Sequence, residues 1–567
     1  MKDASKQANQ ISHFLLFLAL MAFPALSFAQ NLREMHNEIP DDPYVPVDLS
    51  TMERGPAYQV RNSTYFTTQV NVDVNGNDII GDAANETSIA VDPTNPNRIV
   101  IGWRQFDTVT NNFRQAGNAY SLDGGLTWTF PGVLNPGVFR SDPVLDFDAD
   151  GNFYYNSLRG TFACDVYKIT DGGTDWGAPF PAYGGDKQWM RLDKTTGIGA
   201  GNNYSYWNES FSTCSPGNFT RSIDGSNTFE ACELVDGSPI WGTLAVDADG
   251  TLYVVGAGGS GLILIKSTTA KDPSISPVTF DSVSSVDLDG QLSGFVPINP
   301  QGLLGQAWVD VDISGGPGHG NVYVLASVDR DSNSDPGDVM FARSTDGGAT
   351  FEPPQRINTD VGTSAYQWFG TMSVAPNGRI DVAWLDTRNA PTGTDFSRLY
   401  FSYSEDQGST WSANEPISIA FDPHIGYPNQ NKMGDYFDMV SDNDGAHLAW
   451  ANTINGGQDA YYTHITPALL GLNDVASEGI SELKSYPNPF SNETTIEFFS
   501  KNDTKVTLEV FNLLGNKVNT LLDESIIGKN RIIWDGTSEA GAKLQAGIYF
   551  IRLQTEAGVR ISKVLLQ

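Results

Sequence analysis

Ser121-Leu-Asp-Gly-Gly-Leu-Thr-Trp128 is the stretch whose reading decides the fold. An Asp two residues after a Ser, followed by Gly-Gly and closed by Thr and an aromatic, suits a tight hairpin. Its carboxylate accepts turn N–H groups, glycine supplies positive φ, and the aromatic packs back under the turn. The pattern returns as Ser222-Ile-Asp-Gly-Ser-Asn-Thr-Phe229, Ser344-Thr-Asp-Gly-Gly-Ala-Thr-Phe351 and Ser404-Glu-Asp-Gln-Gly-Ser-Thr-Trp411. Asp171-Gly-Gly-Thr-Asp-Trp176 is a degraded copy, and Ser267 to Asp272 carries a vestige. Asp123, Asp171, Asp224, Asp346 and Asp406 are therefore read as structural turn residues, since a carboxylate satisfied by turn amides is a poor general acid.

A longer pattern surrounds these octapeptides. Seven times an apolar strand ends near an Asp or its substitute, turns through Gly or Asn, and returns as a second apolar strand. The pairs begin with Ser88-Ile-Ala-Val-Asp92 and Arg98-Ile-Val-Ile-Gly-Trp103 and end with Phe437-Asp-Met-Val440 and Ala446-His-Leu-Ala-Trp450. Their anchors recur every 45 to 65 residues or so, about the length of one four-stranded propeller blade. With 57 Gly and 11% aromatics, the chain reads as all-β. A seven-bladed β-propeller is expected, with a strand within Tyr58 to Val74 supplying the missing edge of the last blade. Six blades with a pendant pair of strands is the alternative.

The octapeptides resemble the Asp-box, or BNR, repeat of sialidase-like β-propellers, and the resemblance covers residues 58–467. It implies that the boxes are structural hairpins lying away from the active face. It also implies a site with three arginines gripping a carboxylate, a Tyr nucleophile assisted by Glu, and an Asp acid. The family's Arg-Ile-Pro is absent. Trp103-Arg104-Gln105-Phe106 stands near that place, and Arg159, Arg191 and Arg388 have no motif context. No catalytic residue is assigned, and whether the chain is an enzyme stays open.

In a propeller, residues just before the innermost strands converge on one mouth. These are Asn85-Glu86-Thr87, Ser141-Asp142-Pro143, Asp186-Lys187-Gln188-Trp189, Ile240-Trp241-Gly242, Gln306-Ala307-Trp308, Gln367-Trp368-Phe369 and Gly434-Asp435-Tyr436. Trp189, Trp241, Trp308, Trp368 and Tyr436, alternating with Glu86, Asp142, Asp186 and Asp435, suit stacking on sugar faces with hydrogen bonds to hydroxyls. The same carboxylates suit a hard cation such as Ca2+, and no other cofactor is assignable. The competing reading is that the aromatics pack between blades while the carboxylates tie strand starts together through backbone N–H groups.

With 34 basic and 67 acidic residues, the formal charge of −33 excludes nucleic acid as a natural partner, because phosphate-backbone binding needs clustered Lys and Arg. None of the six His falls in a metal-ligand spacing. Cys164, Cys214 and Cys232 form no metal knuckle. Cys214 and Cys232 bracket one hairpin and can pair in an exported protein, although two other pairings are equally open.

Both termini read as addresses. Lys2 and Lys6, the apolar run Phe14 to Phe23 and the small-residue site Ser27-Phe28-Ala29 have the order of a signal peptide cleaved after Ala29. No later run is long and apolar enough to span a bilayer, so the mature chain has no transmembrane segment. A segment over 30–57 precedes the propeller, and a polar linker over 468–484 follows it. Strand-like runs at Thr494 to Phe499, Val506 to Phe511, Lys517 to Leu522, Arg531 to Trp534, Gly547 to Leu553 and Arg560 to Leu566 suggest a small Ig-like β-sandwich over 485–567.

Tyr486-Pro-Asn-Pro-Phe490, Val510-Phe-Asn-Leu-Leu-Gly515, Trp534-Asp-Gly536, Gly547-Ile-Tyr-Phe-Ile-Arg552 and Lys563-Val-Leu-Leu-Gln567 resemble, in order, the type A sorting domain of the type IX secretion system. That resemblance implies engagement with the type IX machinery and an extracellular or outer-membrane-surface location. The expected function is a secreted or cell-surface propeller that binds or processes glycans, a sialidase-like glycoside hydrolase or polysaccharide lyase being its enzymatic form. A non-catalytic protein-binding or adhesive propeller and a structural scaffold are the alternatives.

Overall fold

A computed structural model describes residues 40–467, apart from 63 and 260, and residues 483–567, apart from 513–516 and 556–557. The signal peptide expected over 1–29, residues 30–39 of the N-terminal segment and residues 468–482 of the linker lie outside the described residues. The chain divides into two compact units, Met1–Ile465 and Thr466–Gln567. Apart from a 3-10 turn at Leu49–Thr51, the regular elements described are all strands.

In the first unit the repeats fold into seven antiparallel sheets among the described residues, numbered here in chain order. Their innermost strands are Ala83–Val91, Ser141–Phe147, Trp189–Leu192, Leu244–Val246, Trp308–Val311, Gln367–Val374 and Asp438–Ser441. Each pairs with the strand that follows it, as the repeated motif requires. The innermost strands touch in cyclic order from sheet 1 to sheet 7 and back to sheet 1. The edge expected within 58–74 forms at Tyr65–Gln69, which pairs antiparallel with Asp459–Ile465 of sheet 7. The last sheet thus takes a strand from the front of the chain, and joining the two ends removes the exposed edges of an open array.

Side-chain latches reinforce this ring at six of its seven joints among the described residues. Ser88 Oγ accepts Leu145 N–H at 2.8 Å, Asp146 accepts Leu192 N–H at 2.7 Å, and Thr243 accepts Val309 N–H at 3.0 Å. Asp310 accepts Val374 N–H at 2.8 Å, Ser373 accepts Ser441 N–H at 3.0 Å, and Asp438 accepts Ile89 N–H at 3.2 Å. Each short polar side chain on an inner strand satisfies a backbone donor that sheet pairing leaves free on its neighbour.

The four full octapeptides share one geometry. Ser121 Oγ donates to Asp123 at 2.8 Å and accepts Gly125 N–H at 2.8 Å, while Thr127 gives its N–H and its hydroxyl to the same carboxylate at 2.9 and 2.6 Å. The set recurs at Ser222, Asp224 and Thr228, at Ser344, Asp346 and Thr350, and at Ser404, Asp406 and Thr410. Asp171 lacks this clamp: it is a turn residue with φ 57° whose carboxylate accepts from Thr170 at 3.3 Å. Each full box follows the third strand of its sheet, so it lies at the end of the ring opposite the starts of the inner strands. A disulfide joins Cys214 to Cys232 across the segments that flank the strand Phe219–Ser222 of sheet 3, and Cys164 is free and buried.

The second unit is one hydrogen-bonded set of strands with its own core. Four of the short strands expected there are two long ones, Thr494–Asn512 and Lys517–Trp534, because the pairing runs on through a register shift between Ser500 and Thr504. Gly547–Thr555 and Gly558–Leu566 form the following hairpin. Phe490 and Tyr549 pack on Trp534, with ring centroids 5.4 and 5.5 Å away, at the centre of that core.

Candidate functional site

The inner strands of the ring start in an unusual way. Glu86, Asp142, Lys187, Trp241 and Phe369 all have φ between 47° and 57°, and Gly434 has φ 97°. In sheets 1, 2 and 6 the same place is a bulge, where Asn85 to Ser88, Ser141 to Val144 and Trp368 to Thr371 each advance one residue more than the partner strand. A left-handed non-glycine residue is strained, and that strain in five sheets, with a glycine in the same conformation in a sixth, is a designed bend that re-aims the strand start.

Three of the bent residues, with groups brought from elsewhere, form a buried charge cluster. Glu86 meets Arg104 Nε at 3.0 Å and Lys432 Nζ at 3.5 Å. Lys432 also meets Asp435 at 3.0 Å, and Lys187 meets Asp435 at 2.6 Å. Asp142 accepts Lys187 N–H at 3.1 Å and the hydroxyl of Ser141 at 2.5 Å. Lys187 is the most open member, with its side chain 11% exposed, whereas Glu86 and Arg104 are fully buried. Asp186 sits beside the cluster, held by Asn208 at 2.9 Å.

The environment drives the carboxylates apart. Burial raises Glu86 to about 8 against the pull of Arg104 and Lys432, with Asp435 and Asp142 adding to the rise. Burial also works against an ionised Asp435, but Lys187 and Lys432 hold it far below the usual carboxylate range. Lys187, opposed by burial, is kept charged by Asp186, Asp435 and Asp142. Burial thus favours the protonated form of Glu86 while two ammonium groups favour the ionised form of Asp435, so the two carboxyls that meet Lys432 are driven toward opposite roles.

Unpaired polar atoms concentrate here. Arg104 Nη1 and Nη2 have no hydrogen-bond partner, and neither has Thr87 Oγ1, Gln188 Oε1 or either amide atom of Gln306. Thr87 and Gln188 directly follow a left-handed residue, as Asp435 does in sheet 7, and Gln306 occupies the corresponding place in sheet 5. Buried donors and acceptors of this kind call for water or a ligand.

The aromatics behave differently from the stacking platforms expected of them. Trp189, Trp308 and Tyr436, from sheets 3, 5 and 7, pack edge to face with Trp189 in the middle, at centroid distances of 5.2 and 5.1 Å, and Tyr436 donates to Pro143 O. They lie two residues or so beyond the bent positions and form a plug beneath the charged cluster. Trp241 is buried in the apolar core between sheets 4 and 5, and Trp368 donates to Ser397 at 3.2 Å with its ring against Phe369. None offers an open face, because each ring is covered by its neighbours.

Two connections roof the cluster. The hairpin Gly294–Val296 with Asn299–Leu303, between sheets 4 and 5, reaches sheet 7, where Asn299 donates to Gly434 O and accepts from Met433 N, and Leu303 N–H donates to Asp435 at 2.9 Å. The segment before sheet 7 supplies Lys432, whose carbonyl accepts from Gln458 of the same sheet and weakly from Asn85 of sheet 1. Sequence reasoning missed Arg104, Lys432 and Asn299 as site residues. Arg104 was within reach, since it faces Asn85 across the first strand pair, but nothing local marks a lysine in a connection between sheets. Among the described residues no group of three or more His, Cys, Asp and Glu could hold a metal ion.

Residues 484–567 match the family model of the secretion system C-terminal sorting domain. That tail indicates export by the type IX system to the cell surface or the extracellular space. No helix among the described residues is long and apolar enough to cross a membrane. No curated protein matches the chain. Among solved structures it is similar to a protein of unknown function from Dyadobacter fermentans, at 14% identity and a TM-score of 0.41 over 72% of this chain and 98% of that one. It is also similar to a Trypanosoma rangeli sialidase, at 11% identity and a TM-score of 0.35 over 90% of each chain. A third similarity is to PorZ, a surface component of the type IX secretion system of Porphyromonas gingivalis, at 12% identity and a TM-score of 0.26 over 89% of this chain and 73% of that one.

Proposed function

We propose that the chain is a type IX cargo whose Asp-box repeats form a seven-bladed β-propeller over 58–467, followed by a linker and an Ig-like sorting domain over 485–567, and that the mouth of the ring binds or processes an acidic glycan. The observation that carries this reading is the unpaired, fully buried guanidinium end of Arg104 beside Lys187, Lys432 and the polar ring of Thr87, Gln188 and Gln306. Three cations in one cluster suit a sugar carboxylate, and amide and hydroxyl groups suit its hydroxyls. Protonated Glu86 is the candidate acid and ionised Asp435 the candidate base or charge stabiliser. Asp142 and Asp186 hold Lys187 charged at the rim. Arg104, Lys187 and Lys432 are the cations that meet Glu86 and Asp435, and the proposal gives Ca2+ no part.

The buried aromatics favour a second reading, a protein-binding propeller in which the charge cluster braces the ring. Screening the secreted chain against sialylated, uronate-bearing and neutral oligosaccharides, for binding and turnover together, separates the two. Lys187→Met is expected to weaken acidic-glycan binding about tenfold, the loss of one charge-assisted contact. Glu86→Gln is expected to remove turnover while leaving binding. A correctly folded chain that takes up no acidic glycan overturns the proposal.

A further inference from the structure

Where the ring closes, the front of the chain meets its last sheet across three buried carboxylates. Asp78, Asp82 and Asp459 are 5%, 1% and 2% exposed, and each receives one side-chain amide: Gln69 Nε2 to Asp78 at 2.6 Å, Gln105 Nε2 to Asp82 at 2.9 Å and Asn71 Nδ2 to Asp459 at 2.8 Å. The amides cannot turn round to present oxygen. Asn71 Oδ1 accepts Ala460 N–H, Gln105 Oε1 accepts Trp103 Nε1–H, and Gln69 Oε1 accepts Tyr58 N–H. Asp82 Oδ1 and Asp459 Oδ2 are left without a partner, as are the buried Tyr461 hydroxyl and the Nδ2 of Asn452, the residue that faces Asp459 across its strand pair.

No ion pair reaches these three carboxylates among the described residues. Arg54, the cation whose charge acts on Asp78, is bonded to Asp73 at 3.0 Å. The other titratable groups packed around the trio are Asp107, which accepts from Gln115, and Tyr58 and Tyr461. Three carboxylates in apolar surroundings cannot all ionise, because each charge is poorly solvated and repels the next.

We propose that this seam is a proton-dependent lock: the strand Tyr65–Gln69 and the turn after it hold the ring closed while the carboxyls of Asp78, Asp82 and Asp459 keep their protons, and ionising the trio loosens the closure. Burial and the neighbouring carboxylates support this, raising Asp82 to about 8 and Asp459 well above its ordinary value. The sign follows from the raised values. The folded state keeps protons that the unfolded chain has lost above about pH 4, so stability from the seam is full in acid and falls as pH rises toward 8. Asp82 directly precedes the inner strand that carries Glu86, so loosening begins beside the mouth.

The test uses the full chain without its export signal. Thermal unfolding is followed from pH 5 to 9.5 in wild type, Asp82→Asn and Asp459→Asn, with amide exchange at Tyr65–Gln69 as a local readout. The wild type is expected to lose several degrees between pH 6 and 9, with exchange at that strand rising about tenfold. Either Asn variant is expected to flatten the difference. Glu86 titrates in the same range, so the wild-type-minus-variant difference, not the raw curve, is the measure. A pH-independent wild type, or a variant destabilised equally at every pH, overturns the lock. Recovery of alkaline stability by Ca2+ in wild type but not in the variants overturns it too, making the seam a cation site. If one variant fails to fold, the other and the wild-type exchange profile still decide.

Discussion

At the scale of single residues, a carboxylate's work in this molecule is set by what its oxygens touch. Asp346 takes the hydroxyl and the N–H of Thr350 and the hydroxyl of Ser344, and those bonds lower it to about 2. Asp346→Ala leaves Thr350 and Ser344 to water, and its exposure limits the expected loss to about 1 kcal/mol. A lower urea midpoint with unchanged slope, and unchanged behaviour at the mouth, is the outcome to look for. Glu86 is the opposite case, with burial first and cations second. That contrast explains what was legible. The box residues lie within eight positions of one another, so their hydrogen bonds are visible in the order of the letters. Glu86, Arg104 and Lys432 come together from a strand start, its partner strand and a connection more than three hundred residues away, and no local pattern records such a meeting. The Trp residues misled for the same reason, since a sequence places a ring at a strand start without saying which way it points.

At the scale of elements, the repeated strand pair was readable because apolar alternation and Asp-Gly turns are local, whereas the bulges were not. One extra residue in the inner strands of sheets 1 and 2 turns Glu86 and Asp142 into the cluster, and only the pairing partner reveals it. The closing strand shows how one element ties remote parts together. Phe66 lies opposite His464 in the ladder, with ring centroids 5.7 Å apart, and the tilted ring of His447 lies 4.7 Å away on the other side. Burial, with the charge of His447 second, lowers His464 to about 3. A base whose folded value is depressed gives its full stability above the unfolded value of about 6.5 and loses it as pH falls toward 3. The closing sheet is therefore expected to weaken between pH 6 and 4, and His464→Gln to melt over a narrower pH-dependent range than wild type. Equal acid sensitivity in the two proteins would assign the loss to other groups. Opposed to the acid trio at the far end of the same strand, this histidine leaves the seam tightest between its acid and alkaline limits.

At the scale of the whole molecule, the first unit has layers along its axis. The charged cluster lies at the mouth, the Trp189, Trp308 and Tyr436 plug lies below it, and beneath the plug Asp146, Asp310 and Asp438 latch neighbouring sheets, with the charge of Arg191 acting on Asp310 and Asp438. A plugged ring is a packed core and not a pore, so any ligand works at the mouth. The second unit has its own sheet set and its own core, which includes Phe490, Trp534 and Tyr549, so each unit is expected to fold from its own core. This separation allows address and work to be tested apart. A chain ending at residue 483 should fold with the same thermal transition for the first unit and the same mouth chemistry, yet stay inside the outer membrane. Cell fractionation with an antibody against the first unit measures the location, and protease added to intact cells checks it. Retention with native-like unfolding shows that passage across the outer membrane needs residues 484–567. Continued appearance in the medium would mean that the first unit carries an address of its own. Retention with loss of the transition would mean that the tail is needed for the first unit to fold, against the independence of the two cores.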